Sequence, residues 1–143
     1  MAVKKSPYEW DDSLATNNEL IDSQHKTLLK ALKDLVEACG QGKGRSELDG
    51  AITFLADYTG KHFGDEEVLQ KKYSFPDYSN HRRLHEGFKR VVAELKRELH
   101  EGGASVKLVG KVNSEVGNWL INHIKREDVK VADHIRENPQ YGE

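Results

Sequence analysis

The sequence predicts an all-α protein: an antiparallel up-down four-helix bundle with an irregular N-terminal arm. Apolar residues recur at three- and four-residue steps in four separate stretches. Clusters of Gly, Pro, Ser and Asp interrupt the stretches at short intervals, which favours antiparallel neighbours. No segment alternates apolar and polar residues as a half-buried strand would, and no repeat or low-complexity run is present.

Residues 1–18 read as the arm. Ser6-Pro7 and Asp11-Asp12-Ser13 are turn chemistry, and Thr16-Asn17-Asn18-Glu19 reads as a capping box. The first helical pattern follows in Leu20, Ile21, His25, Leu28, Leu29, Leu32, Leu35 and Val36, and the glycines of 40–44 stop it. The second runs through Leu48, Ile52, Leu55, Ala56, Phe63, Val68 and Leu69. Residues 73–77 form a loop, because the residue before Pro76 disfavours helix. The third runs from His81 through Leu84, Phe88, Val92 and Leu95 to Leu99, and Gly102-Gly103 ends it. The fourth joins Val106, Val109, Val112, Val116, Trp119, Leu120, His123 and Ile124 and continues toward Ile135, before Asn138-Pro139. The expected domains are an arm over 1–18, a bundle over 19–136 and a tail over 137–143. Gly60, Gly64, Gly87, Gly110 and Gly117 fall inside predicted helices, each costing about 1 kcal/mol against Ala. They are either tolerated weak positions or points of close helix approach.

Composition narrows the class. A chain of 143 residues is expected to form one domain. Its 22 Lys and Arg against 24 Asp and Glu leave a formal charge of −2, with no basic run, so no nucleic-acid partner is expected. The lone Cys39 permits no intrachain disulfide and no CxxC motif, and reads as an incidental small residue. MAVKKSPYEWDDS lacks an apolar core after its basic pair, so no signal peptide is read. A membrane span is not expected, and a cytoplasmic monomer is.

The histidines are the unusual feature. Five of the seven lie inside apolar stripes: His25, His62, His81, His85 and His123. A buried imidazole needs partners for both ring nitrogens, and five would leave many polar atoms to satisfy in a small core. A shared metal centre removes that cost, since neutral imidazole ligates iron, zinc or copper well. The alternative is a scattering of structural and surface histidines. Helix geometry lets residues four apart converge on one ion, and His62 with Glu66, His81 with His85, and His123 with Glu127 satisfy this. A chain so rich in His and acids supplies some such pairs by chance, so the apolar setting carries more weight. HExxH and the c-type haem motif are absent, and no Glu stands three residues before any His, as the Glu-x-x-His di-iron carboxylate bundles require. A two-His haem site would leave three core histidines unexplained. His100 and His134 fall near predicted helix C-termini and receive no ligand role.

Taken in order, Trp10-Asp11, Ile21-Asp22-Ser23-Gln24-His25, His62-Phe63-x-x-Glu66-Glu67, His81-x-x-x-His85-x-x-Phe88 and Trp119-Leu120-x-x-His123-Ile124-x-x-x-Asp128 resemble hemerythrin over residues 8–132. The length and long early inter-helix segments resemble the bacterial branch more than the shorter invertebrate carriers. The resemblance implies a non-haem centre of two iron ions with an oxo or hydroxo bridge. It implies that His81, His85 and His123 hold one iron, that His25 and His62 hold the other, and that Glu66 and Asp128 bridge them. The two-His iron then keeps an open position for dioxygen. Helix geometry nominates Glu127 and the family pattern Asp128; following the family leaves Glu127 and Glu67 as solvated acids. Leu28, Phe63, Trp119, Leu120 and Ile124 are the expected apolar wall of an oxygen pocket, by analogy and by nearness to the ligands. The chain departs from the family pattern at Asn17-Asn18, where a Gly is frequent, and at Leu69, where a Met is. Acceptors for the outward imidazole nitrogens are expected, though the sequence does not name them.

The function implied is reversible dioxygen binding for carriage, storage or delivery to an oxygen-using enzyme, without catalysis. The alternatives are an oxygen or redox sensor, and a di-iron peroxidase or nitric oxide scavenger.

Overall fold

The computed structural model describes residues 8–42, 45–103 and 105–142. Every regular element among them is helical. Helices α1 (Glu19–Gly40), α2 (Arg45–Lys72) and α3 (Tyr78–Gly102) are followed by a fourth rod over 106–137. That rod comprises α4 (Val106–Lys111), a π-helical stretch Val112–Asn118, α5 (Trp119–His123), a second π-helical stretch Ile124–Asp128, and α6 (Val129–Glu137). α2 packs on α1 and α3, and the fourth rod closes the ring against both α1 and α3.

Local chemistry explains the ends. The first cap lies two residues beyond the expected Thr16: Asn18 caps α1, its side chain accepting from Ile21 N at 3.0 Å. Thr16 instead joins a small knot in which its N–H and hydroxyl donate to Asp22 Oδ1 at 2.9 and 2.7 Å. Asn17 takes a positive φ of 68°, which Asn tolerates better than most residues. Gly103, at φ 68°, closes α3 with its N–H on Leu99 O at 2.8 Å. Ser105 caps α4 through Leu108 N at 3.0 Å. The predicted glycine stop over 40–44 falls partly outside the described residues.

The described part of the arm, 8–18, is irregular apart from one turn. Asp12–Leu14 form a 3-10 turn, and Tyr8 and Leu14 are buried against the bundle. The tail likewise folds into a 3-10 turn at Pro139–Gly142. Of the five helical glycines, Gly60, Gly64, Gly87 and Gly110 have open space where a Cβ would sit. Gly117 is the close approach: a Cβ there would clash with the Tyr8 ring and its hydroxyl.

Two apolar clusters bracket the polar interior. The larger includes Leu28, Leu32, Leu55, Phe63, Phe88, Leu120 and Ile124. The smaller joins Ile21, Val131 and Ala132 with Leu69, Phe75 and Ile135. Ile21 precedes His25, Leu69 follows Glu66, Phe75 precedes His81, and Val131 follows Asp128. Each rod therefore passes from one cluster to the other through its histidines and acids, which lie between two apolar plugs.

Candidate metal centre

α1 brings His25 to this layer, α2 His62 and Glu66, α3 His81 and His85, and the fourth rod His123 and Asp128. All seven are buried. His81 Nε2 lies 2.7 Å from Glu66 Oε1 and 3.2 Å from Asp128 Oδ1. His25 Nε2 lies 2.7 Å from Asp128 Oδ2, and His62 Nε2 lies 3.4 Å from Glu66 Oε2. His123 Nε2 stands 3.1 Å from His81 Nε2 and 3.2 Å from His85 Nε2.

These donors form two overlapping groups. Glu66, His81, His85, His123 and Asp128 make one, and His25, His62, Glu66 and Asp128 the other, with ligand atoms within 4.8 Å of one another in each. The two carboxylates belong to both. The donor set fits two metal ions. Ligands about 2.1 Å from an ion and at right angles stand about 3 Å apart, close to the spacing of the Nε2 atoms of His81, His85 and His123. Among the described residues no hydrogen-bond partner reaches the buried His62 Nε2 and Glu66 Oε2, a state that costs about 1–3 kcal/mol per group unless something binds there.

The electrostatics fit a cation as well. Burial and the Asp128 charge push Glu66 up, but hydrogen bonds from His81 and His85 and the charge of His62 hold it below the usual carboxylate range. Burial also opposes charge on Asp128, yet His123, His25 and His81 keep it well below. Burial pulls His81 down, but its contacts with Asp128 and Glu66 outweigh this and lift it to about 9. Burial lowers His62 to about 4. These directions favour ionised acids around a protonated His81, and a metal ion held there would take the place of that proton.

Helix geometry nominated Glu127 and the family pattern, which was followed, Asp128; the rod sets Asp128 against the histidines. In an α-helix the residue five on from His123 is turned off its face. The stretch Ile124–Asp128 is π-helical, so i→i+5 hydrogen bonds set position i+5 about one turn on. His123 Nε2 consequently lies 3.1 Å from Asp128 Oδ1. Glu127 points outward, half-buried, 3.6 Å from Lys130.

A second layer holds two of the imidazoles. His62 Nδ1–H donates to Gln24 Oε1 at 2.7 Å, and Gln24 Nε2 donates to Asp65 at 2.7 Å. Lys61 closes the chain on Asp65 at 2.8 Å. His85 Nδ1–H donates to Glu67 Oε2 at 3.0 Å. Each bond fixes the tautomer that turns an Nε2 lone pair inward. Glu67 is therefore not the solvated acid expected: its side chain is only 17% exposed because it serves His85. Gln24 stands in the His25 motif without an expected role, and Gln70, which donates to Glu66 Oε1 at 3.2 Å, was not expected at all. Nothing in their spacing marks them beyond Gln24 adjoining His25. The Nδ1 atoms of His25 and His81 lack the expected acceptors.

The expected pocket residues divide. Leu28, Phe63, Leu120 and Ile124 are fully buried in the larger cluster. Phe63 stacks on His85 with ring centroids 3.7 Å apart and planes 2° from parallel. Trp119, half-buried, stacks between Phe88 at 4.1 Å and His123 at 4.5 Å. His100 pairs with Asp49 at the surface, and His134 bonds Tyr73 O at 2.6 Å; both stand apart from the centre. Cys39 is buried, and burial pushes its thiol up.

The family model for the hemerythrin HHE cation binding domain matches residues 16–135. A bacteriohemerythrin of Pseudomonas aeruginosa is 33% identical over 128 residues, covering 89% of this chain and 80% of that protein. A myohemerythrin of Theromyzon tessulatum is 31% identical over 126 residues, covering 87% and 90%. The crystal structure of a hemerythrin mutant superposes with a TM-score of 0.76 at 28% identity, covering 94% of this chain and 98% of the other.

Proposed function

The chain belongs to the hemerythrin family, and from that premise we propose that it binds dioxygen reversibly at a non-haem di-iron centre in the bundle core. The observation that carries the proposal is the sharing of Glu66 and Asp128 between a three-histidine and a two-histidine group. His81, His85 and His123 would hold one iron, His25 and His62 the other, and the two carboxylates both. An iron pair held by these residues would supply the reversible two-electron chemistry that dioxygen binding needs.

The protein's part is to hold, shield and balance. Two carboxylates would offset half of the +4 of two divalent ions and a bridging hydroxide one charge more, while five neutral imidazoles would complete the coordination, which lets the centre live between apolar clusters. Gln24 keeps the proton of His62 on Nδ1, and Glu67 does the same for His85. Leu28, Phe63, Trp119, Leu120 and Ile124 wall the pocket and keep water from it. Glu66 and Asp128 are held ionised, so neither stands ready to give a proton to a bound ligand, which favours reversible binding over turnover. We take the binding unit to be residues 19–136, with 1–18 and 137–143 as its arm and tail, in a cytoplasmic monomer that delivers dioxygen to an oxygen-using enzyme. Among the described residues no helix is long and apolar enough to cross a membrane.

The test is direct. Iron is counted in the purified chain, the protein is reduced without air, and oxygen is admitted while the visible spectrum is followed. Two irons per chain and a charge-transfer band that comes and goes with oxygen support the proposal. Zinc or haem in place of iron overturns it, and steady consumption of reductant with peroxide or nitric oxide favours an enzyme.

A further inference from the structure

The surface nearest His85 is not electrically neutral. A groove of about 470 Å³ runs along the outer face of α3, lined by Tyr78, Ser79, Arg82, Arg83, Glu86 and Arg90. Its one acid, Glu86, is already bound to Lys89 at 2.9 Å. The three arginines are exposed and outnumber the groove's one acid, on a chain whose formal charge is −2. A second groove, beside His123, carries one arginine and one glutamate and has no such bias.

The arginine groove is also wired to the centre. Arg82 Nε lies 3.9 Å from Glu67 Oε1, and Glu67 Oε2 accepts from His85 Nδ1 at 3.0 Å. Two contacts thus separate an exposed guanidinium from an imidazole whose other nitrogen faces the metal-binding donors. The remaining faces of His85 are sealed, by Phe63 on the ring and by His81 and His123 beside it.

We propose that this arginine groove is the docking face for an acidic one-electron carrier protein that re-reduces the iron pair through Glu67 and His85. The proposal rests on the di-iron reading above and names its partner. A centre that gives electrons to dioxygen is sometimes left diferric, and buried iron cannot meet a donor directly. Each donor molecule would give one electron and be oxidised by one; two encounters would supply both electrons a diferric pair needs, and an oxo bridge would take one proton from solvent as it becomes hydroxo. Complementary charge raises the encounter rate and selects the orientation that places the donor over Glu67.

The probe is a plant-type [2Fe–2S] ferredoxin, an acidic carrier of low potential. Stopped-flow mixing of reduced ferredoxin with the diferric protein reads the rate, and calorimetry with oxidised ferredoxin reads binding independently of electron transfer. An Arg83→Glu/Arg90→Glu variant is expected to bind more weakly and to be reduced about tenfold more slowly at low salt, with a flattened salt dependence. A Lys96→Glu/Lys107→Glu variant, with equal charge change outside the groove, is expected to match the parent. Equal slowing in both variants, or none in the first, overturns the proposal, as does slowing confined to Arg126→Glu beside His123. Failure of the di-iron reading is told apart by the iron count. In that case calorimetry on the metal-free chain still decides whether ferredoxin docks at the arginines.

Discussion

His123 and Asp128 stand five residues apart on the fourth rod, yet Nε2 of one lies 3.1 Å from Oδ1 of the other. The π-helical turn between them accounts for it. The same turn rotates Glu127 outward to Lys130. Replacing Asp128 by Ala should therefore cut iron well below two per chain, while Glu127→Ala should leave the content unchanged. Elemental analysis of the purified variants checks both, and equal loss in the two would refute the assignment.

Gln24 adjoins His25 in the chain and holds His62 by a hydrogen bond. Its Oε1 fixes the tautomer, and Asp65 fixes the amide. Gln24→Leu keeps the volume and removes the acceptor. Loss of such a partner typically costs 10–100-fold in metal affinity. Competition with a chelator should show about that loss, and a matched Glu67→Leu variant should behave alike through His85.

The metal-free chain should be most stable near pH 6.5. His81 is raised to about 9 when folded, so its contribution is complete below 6.5 and is lost as pH rises through 9. His62 is lowered to about 4, so the folded chain gains from it above 6.5 and loses that gain as pH falls toward 4. Each contribution is on the order of 3 kcal/mol. Denaturant melts across pH 4–9 would show the maximum. Metal uptake displaces the His81 proton, so apparent affinity should climb with pH up to about 9.

Gly117 and Gly110 lie on the same rod and should respond oppositely to Ala. At Gly117 the new methyl would meet the Tyr8 ring, and overpacking of this kind costs about 1–3 kcal/mol. At Gly110 nothing stands within 4 Å, and the helix should gain up to about 1 kcal/mol. Thermal melts measure both, and a Tyr8→Ala partner should relieve Gly117→Ala if the clash is the cause.

What the sequence by itself determined was periodic. Four apolar stripes, interrupted by Gly and Pro, sufficed for four rods. The stripes placed His25, His62, His81, His85 and His123 indoors, because a residue's face follows from its spacing. Only the tertiary structure decided what depends on a change of spacing or on neighbours distant in the chain. The π turns at Val112–Asn118 and Ile124–Asp128 alter the period on which face assignments rest, so Asp128 could be named by resemblance but not by geometry. Glu67 looked solvated because its partner, His85, comes 18 residues later on another helix. Gln24, 38 residues from His62, was equally silent. A side chain's period is written locally; its hydrogen-bond partner is set by how the rods pack.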